Sequence, residues 1–143
     1  MSTITGGPGR DRGFTLTEVL IVMVIVGILA AIAVPVFLTQ RAKSHDTSTI
    51  SDVTRLGKEL ATFYVDGQGS PTLDFTSDPE YVYVDDGSHH VGVRLSNGTA
   101  RPTSGYAAGL DSDTGWCVSL TDPQGAVKQY RFSAKGGLDK GGC

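Results

Sequence analysis

Residues 19–38, VLIVMVIVGILAAIAVPVFL, run for twenty positions without a charge, and no other feature of the chain limits its fold so strongly. At about 1.5 Å per residue the run makes a helix of roughly 30 Å, the thickness of a hydrocarbon core. A buried core helix of this kind needs a protein that surrounds it, and the remainder of a 143-residue chain is too small for that. The segment therefore meets a membrane. The length also confines the chain to one ordinary domain and excludes a two-domain enzyme. With 12 Lys+Arg against 15 Asp+Glu there is no strongly basic field, so no specific nucleic-acid partner is expected.

The flanks of the run leave several ways for it to be used. A secretory signal would have basic residues ahead of it, here Arg10 and Arg12, and a small-residue cleavage site, here Ala31-Ile32-Ala33. Against that outline, the apolar stretch continues through Val34, Val36, Phe37 and Leu38. An uncleaved anchor is the second possibility, but Arg10 and Arg12 are balanced by Arg41 and Lys43, which leaves its orientation weakly specified.

The stretch GFTLTEVLIVMVIVGILAAIAVPVFL, Gly13 to Leu38, resembles the prepilin-type signal of type IV pilins and the pseudopilins of type II secretion. A short polar leader ends in Gly13, Phe14 opens the apolar helix, and Glu18 stands fifth counting from Phe14. Asp11 between the two leader arginines is a small departure. The resemblance implies that a membrane-embedded prepilin peptidase cuts between Gly13 and Phe14, that Phe14 is N-methylated, and that the helix stays on the mature protein. It implies a single-pass subunit in the cytoplasmic membrane, then a homo-polymer, a helical filament built by an inner-membrane assembly platform and displayed at the cell surface. The corresponding divisions are a leader at 1–13, a transmembrane and filament-core helix at 14–38, and an extracytoplasmic domain at 39–143.

A carboxylate at the edge of a lipid-embedded helix costs several kcal/mol unless paired, so Glu18 needs a reason. Near the helix N-terminus it can reach the interface and complement the dipole. The resemblance implies a sharper role, in which Glu18 of an incoming subunit neutralises the α-amino group of Phe14 on a neighbour. Gly27 and Pro35 bracket GILAAIAVP, where Pro35 removes a backbone donor and disfavours helix at Val34, so a kink or loosening is expected. Filament-forming pilins often lose helix between the equivalent Gly and Pro.

Beyond Leu38 the sequence turns polar without a breaker, and Ile50, Val53, Leu56, Leu60, Phe63 and Tyr64 recur at spacings of three or four. The helix should continue as an amphipathic one to about Asp66, on the order of 80 Å in all, ending at Gly67, Gly69 and Pro71. Four strands follow by alternation, at Tyr81–Asp85, His89–Leu95, Trp116–Thr121 and Ala126–Ser133. Asp85-Asp86-Gly87-Ser88 and Asp122-Pro123-Gln124-Gly125 read as hairpin turns, and 97–115 as a long connection. The expected fold is α+β: a long N-terminal helix packed on a four-stranded antiparallel meander, like a type IV pilin.

Cys117 in a strand and Cys143 at the last position read as a disulfide in an exported domain, worth roughly 3–4 kcal/mol by chain entropy. Many type IV pilins close a C-terminal loop with such a bond. Two cysteines lack the ligands for structural zinc. His45, His89 and His90 belong to no catalytic motif, so an enzyme is not expected, nor is a cofactor. Asp111-Ser112-Asp113 begins like a calcium loop but lacks the distal ligands of an EF-hand; major pseudopilins hold calcium in a similarly placed loop, which keeps Asp111 and Asp113 as metal candidates. Asn97-Gly98-Thr99 matches a glycosylation sequon, though a type I′ turn accounts for Asn-Gly. The expected function is a structural filament subunit, with the terminal disulfide favouring a pilin over a pseudopilin of secretion or DNA uptake. The rival from another class is an anchored or secreted ligand-binding domain whose ligand loop would be the 96–115 connection.

Overall fold

A computed structural model describes residues 13–66, 69–85, 87 and 90–143. Most of the leader, Gly67, and parts of the expected 85–88 turn and of the strand start at His89 lie outside them. The chain divides into two compact units, one ending at Phe37 and one running Leu38–Cys143.

Helix α1 spans Leu16–Asp66, 51 residues. In the first unit its side chains are exposed throughout, as expected for a segment apolar on every face. The backbone remains α-helical through Gly27 and Pro35, so the loosening expected there is not observed. Proline forfeits one donor, and the cooperative bonds of the turns on either side hold the helix.

In the second unit, Val53, Leu56 and Leu60 of α1 are fully buried. They pack in one core with Val82, Val84, Val93, Leu95, Trp116, Val118, Leu120 and Tyr130, each large apolar side chain contributing roughly 1.5–3 kcal/mol. Ile50 and Tyr64 border this core as their spacing predicts. A four-stranded antiparallel sheet is present, as expected, but it does not hold all four strands read from the sequence. Those strands are divided between two sheets. Strands β1 (Thr72–Asp74), β2 (Tyr81–Asp85) and β3 (His90–Arg94) form a three-stranded sheet. The four-stranded one is β4 (Ala107–Ala108), β5 (Cys117–Thr121), β6 (Gln129–Ser133) and β7 (Gly137–Lys140). Strands β1, β4 and β7 have two to four residues each, too short for an alternation signal. Strand β6 begins at Gln129 rather than Ala126, because the Asp122 N–H bonds the Lys128 carbonyl and closes the loop before it.

The 97–115 connection is held against β5 by backbone and side-chain hydrogen bonds. Ala100 and Thr121 exchange backbone bonds at 2.8 and 2.9 Å, and the Ser119 hydroxyl donates to the Gly105 carbonyl at 2.6 Å.

The buried stripe of α1 continues toward its N-terminus as polar residues. Asp52 accepts the Ser96 N–H at 2.7 Å and its hydroxyl at 3.1 Å, while Asp46 accepts the Val127 N–H at 3.1 Å. His45 Nδ1 lies 2.8 Å from Oδ2 of Asp122, which is 1 % exposed, so His45 is not the surface histidine its position on a polar face suggests. Gly57 provides the close approach of α1 to β6: a Cβ there would stand 2.3 to 3.0 Å from Cδ1, Cγ and Cβ of Phe132. Overpacking of about 1–3 kcal/mol outweighs the roughly 1 kcal/mol that alanine gains in helix propensity. Gly57→Ala should therefore lower the thermal unfolding midpoint of the detergent-solubilised protein, and a raised midpoint would show that Phe132 moves aside freely.

Candidate functional site

The sequence GFTLTE places Thr15 three residues before Glu18 at the start of α1, a spacing that lets the two side chains satisfy each other's backbone donors. The structure forms this box in full. The Thr15 N–H and hydroxyl both donate to Glu18 Oε2 at 2.9 Å, and the Glu18 N–H donates to Thr15 Oγ1 at 3.3 Å. Phe14 lies just outside the first turn and is 87 % exposed. Glu18 is thus an acidic cap at the positive end of the helix dipole, with its carboxylate drawn toward the chain entry rather than out along the helix. The Thr-x-x-Glu spacing is the only signal of this pair in the sequence.

Gly13, Phe14 and Glu18 therefore cluster within two turns, and Gly27 and Pro35 lie further along the same helix. A Cβ at Gly27 would meet nothing within 4 Å. Packing within the chain does not require that glycine.

In the second unit, Cys117 and Cys143 are disulfide-bonded, with Cα atoms 5.8 Å apart. The tail they fix is also held by the Cys143 N–H on the Gly105 carbonyl at 3.0 Å and by Arg131 on the Gly142 carbonyl at 3.3 Å. Asp111 and Asp113 are exposed in a turn whose Leu110 carbonyl accepts the Tyr64 hydroxyl at 2.7 Å. Burial raises the Tyr64 phenol above its ordinary pKa, and the two aspartates raise it further. Among the described residues no three His, Cys, Asp or Glu side chains converge on a metal position. His90 pairs with Asp85 at 3.0 Å and stacks on Tyr83, whereas His89 lies outside the described residues. In the Asn97-Gly98 turn only Gly98 has positive φ, at 96°, so the turn fits type II rather than the expected I′, which needs both central residues there. Thr99 of the sequon is buried, 5 % exposed.

Residues 9–34 match the family described as a prokaryotic N-terminal methylation motif. The type II secretion system core protein G of Dickeya chrysanthemi is 35 % identical over 65 residues, 46 % of this chain and 42 % of that protein. That of Aeromonas hydrophila is 37 % identical over 65 residues, 46 % of each. The type IV major pilin protein PilA of Myxococcus xanthus is 29 % identical over 135 residues, 91 % of this chain and 55 % of that protein. The chain spans about half the length of the curated relatives it matches. No solved structure matches it significantly.

The capping box generates a local test. Thr15→Val keeps the shape and removes the hydroxyl, which should cost about 0.5–2 kcal/mol at the helix start. Amide exchange at residues 16–19 should quicken in the detergent-solubilised protein. Unchanged exchange would mean that the box contributes nothing to the helix start.

Proposed function

We propose that this chain, which matches the type IV pilin and pseudopilin family, is a structural subunit that waits in the membrane and then polymerises into a helical filament. The observation that carries the reading is the pairing of the methylation motif with a helix apolar on all sides whose residues 13–41 are exposed in the isolated chain. Lipid satisfies that surface before assembly, and neighbouring copies of the same helix replace lipid afterwards.

In this proposal a prepilin peptidase cuts between Gly13 and Phe14 on the cytoplasmic side, Phe14 is N-methylated, and an assembly platform extracts the subunit. Glu18 leaves its bonds to Thr15 and pairs with the α-amino group of Phe14 on a neighbour, which sets the axial register. Gly27 and Pro35 supply the place where the helix can stretch as copies pack. Cys117–Cys143 ties the C-terminal tail to β5 outside the cell, where disulfides persist. The work is mechanical, and no catalytic group is assigned.

The pseudopilin reading is favoured by one observation, the 35–37 % identity of the N-terminal half to core protein G. The pilin reading is favoured by the alignment to PilA over 91 % of this chain. Long surface filaments in the native host, as opposed to short ones confined to the envelope, would decide for the pilin.

Glu18→Ala tests the reading common to both. It should leave membrane insertion and the disulfide intact and reduce filament yield by roughly tenfold or more, because an unpaired ammonium is left among packed helices. Filaments at the unmodified yield would refute the pairing of Glu18 with Phe14.

A further inference from the structure

Within the Leu38–Cys143 unit an open cup of about 300 Å³ is lined by Arg55, Arg94, Leu95, Ser96 and Asn97. Its floor is rigid, because Asp52, 2 % exposed, holds Ser96 by both N–H and hydroxyl. Both oxygens of that buried carboxylate are engaged there, which limits its pull on the arginines. Arg94 pairs with Glu80 at 3.3 Å, but both side chains are 65 % exposed, and such a contact is worth little and easily exchanged. Lys58 and Glu59, one turn beyond Arg55, offset each other. Two guanidinium forks at one cup fit carboxylates on a partner.

The complementary feature is on the same chain. Asp111 and Asp113 are exposed on the turn whose Leu110 carbonyl accepts the Tyr64 hydroxyl. Arg55 and Tyr64 are nine residues apart in α1. At 3.6 residues per turn that is about two and a half turns, so they leave the helix on opposite sides with an axial offset of roughly 13.5 Å. We infer that the Arg55/Arg94 cup receives the Asp111/Asp113 turn of a second copy of this chain. The inference rests on the filament reading and adds a contact between globular units to the one between apolar helices. Because the two patches are different surfaces of the chain, their contact is heterologous, and when copies are displaced along an axis it extends as an open array.

Charge reversal tests this in the full-length protein in cells. Arg55→Glu/Arg94→Glu gives copies with two acidic patches, and Asp111→Lys/Asp113→Lys gives copies with two basic ones. Each alone should lower filament yield roughly tenfold or more through like-charge contact, while the membrane pool stays disulfide-bonded and as abundant as in the parent. Co-expression should restore filaments containing both variants, since alternating copies present opposite charges. Either variant assembling alone at the parental yield, or co-expression without rescue from two intact membrane pools, would overturn the inference. Absence of filaments from the unmodified protein would instead refute the filament reading itself.

Discussion

Every residue of the apolar stretch between Phe14 and Leu38 is exposed, and that single fact organises the rest of the molecule. Val19, Leu20, Ile21, Ile28, Leu29 and Phe37 are each close to half exposed or more, far beyond what a soluble monomer tolerates as one continuous surface. Such a surface is satisfied by lipid or by more of itself. The core of the second unit is built around Val53, Leu56 and Leu60 of the same helix. In the proposed filament, these exposed residues 19–38 are the element through which copies would join.

How one helix serves both purposes is legible in its changing stripe. From Ile50 to Tyr64 it presents an apolar face that seats both sheets, with Val53, Leu56 and Leu60 fully buried and Gly57 admitting Phe132. Between His45 and Asp52 the buried positions are polar, and each carboxylate there binds a backbone N–H of a loop, Asp52 at Ser96 and Asp46 at Val127. A buried carboxylate satisfied in this way fixes direction and distance more narrowly than apolar contact, at a desolvation cost that its hydrogen bonds must offset. These loops thus hold the helix at defined points just past its apolar half.

The long helix, its two characters and the strands β2, β3 and β5 could be read from spacing and alternation, and the cysteine pair from the expectation of an exported domain. Residues such as Val82 and Val84 alternate cleanly because one face of their strand is buried. The division into two sheets could not be read, since β1, β4 and β7 are held by neighbours rather than by their own pattern. Asp46 and Asp52 look like solvated helix positions in the sequence, and only the loops that come from 44 and 81 residues further along the chain bury them. At the N-terminus Gly13, Phe14 and Glu18 stood out by motif. The reciprocal bonds of Thr15 and Glu18 are equally encoded by the Thr-x-x-Glu spacing, although a carboxylate near lipid calls as readily for a partner on another chain.

The central claim is that the apolar helix remains on the working protein and begins at Phe14. Intact mass and N-terminal sequencing of protein sheared from the cell surface measure this directly. The account predicts an N-terminus at an N-methylated Phe14, thirteen residues into the sequence. A mature chain starting at Val34 would contradict it, because the helix on which assembly depends would have been removed as a signal peptide.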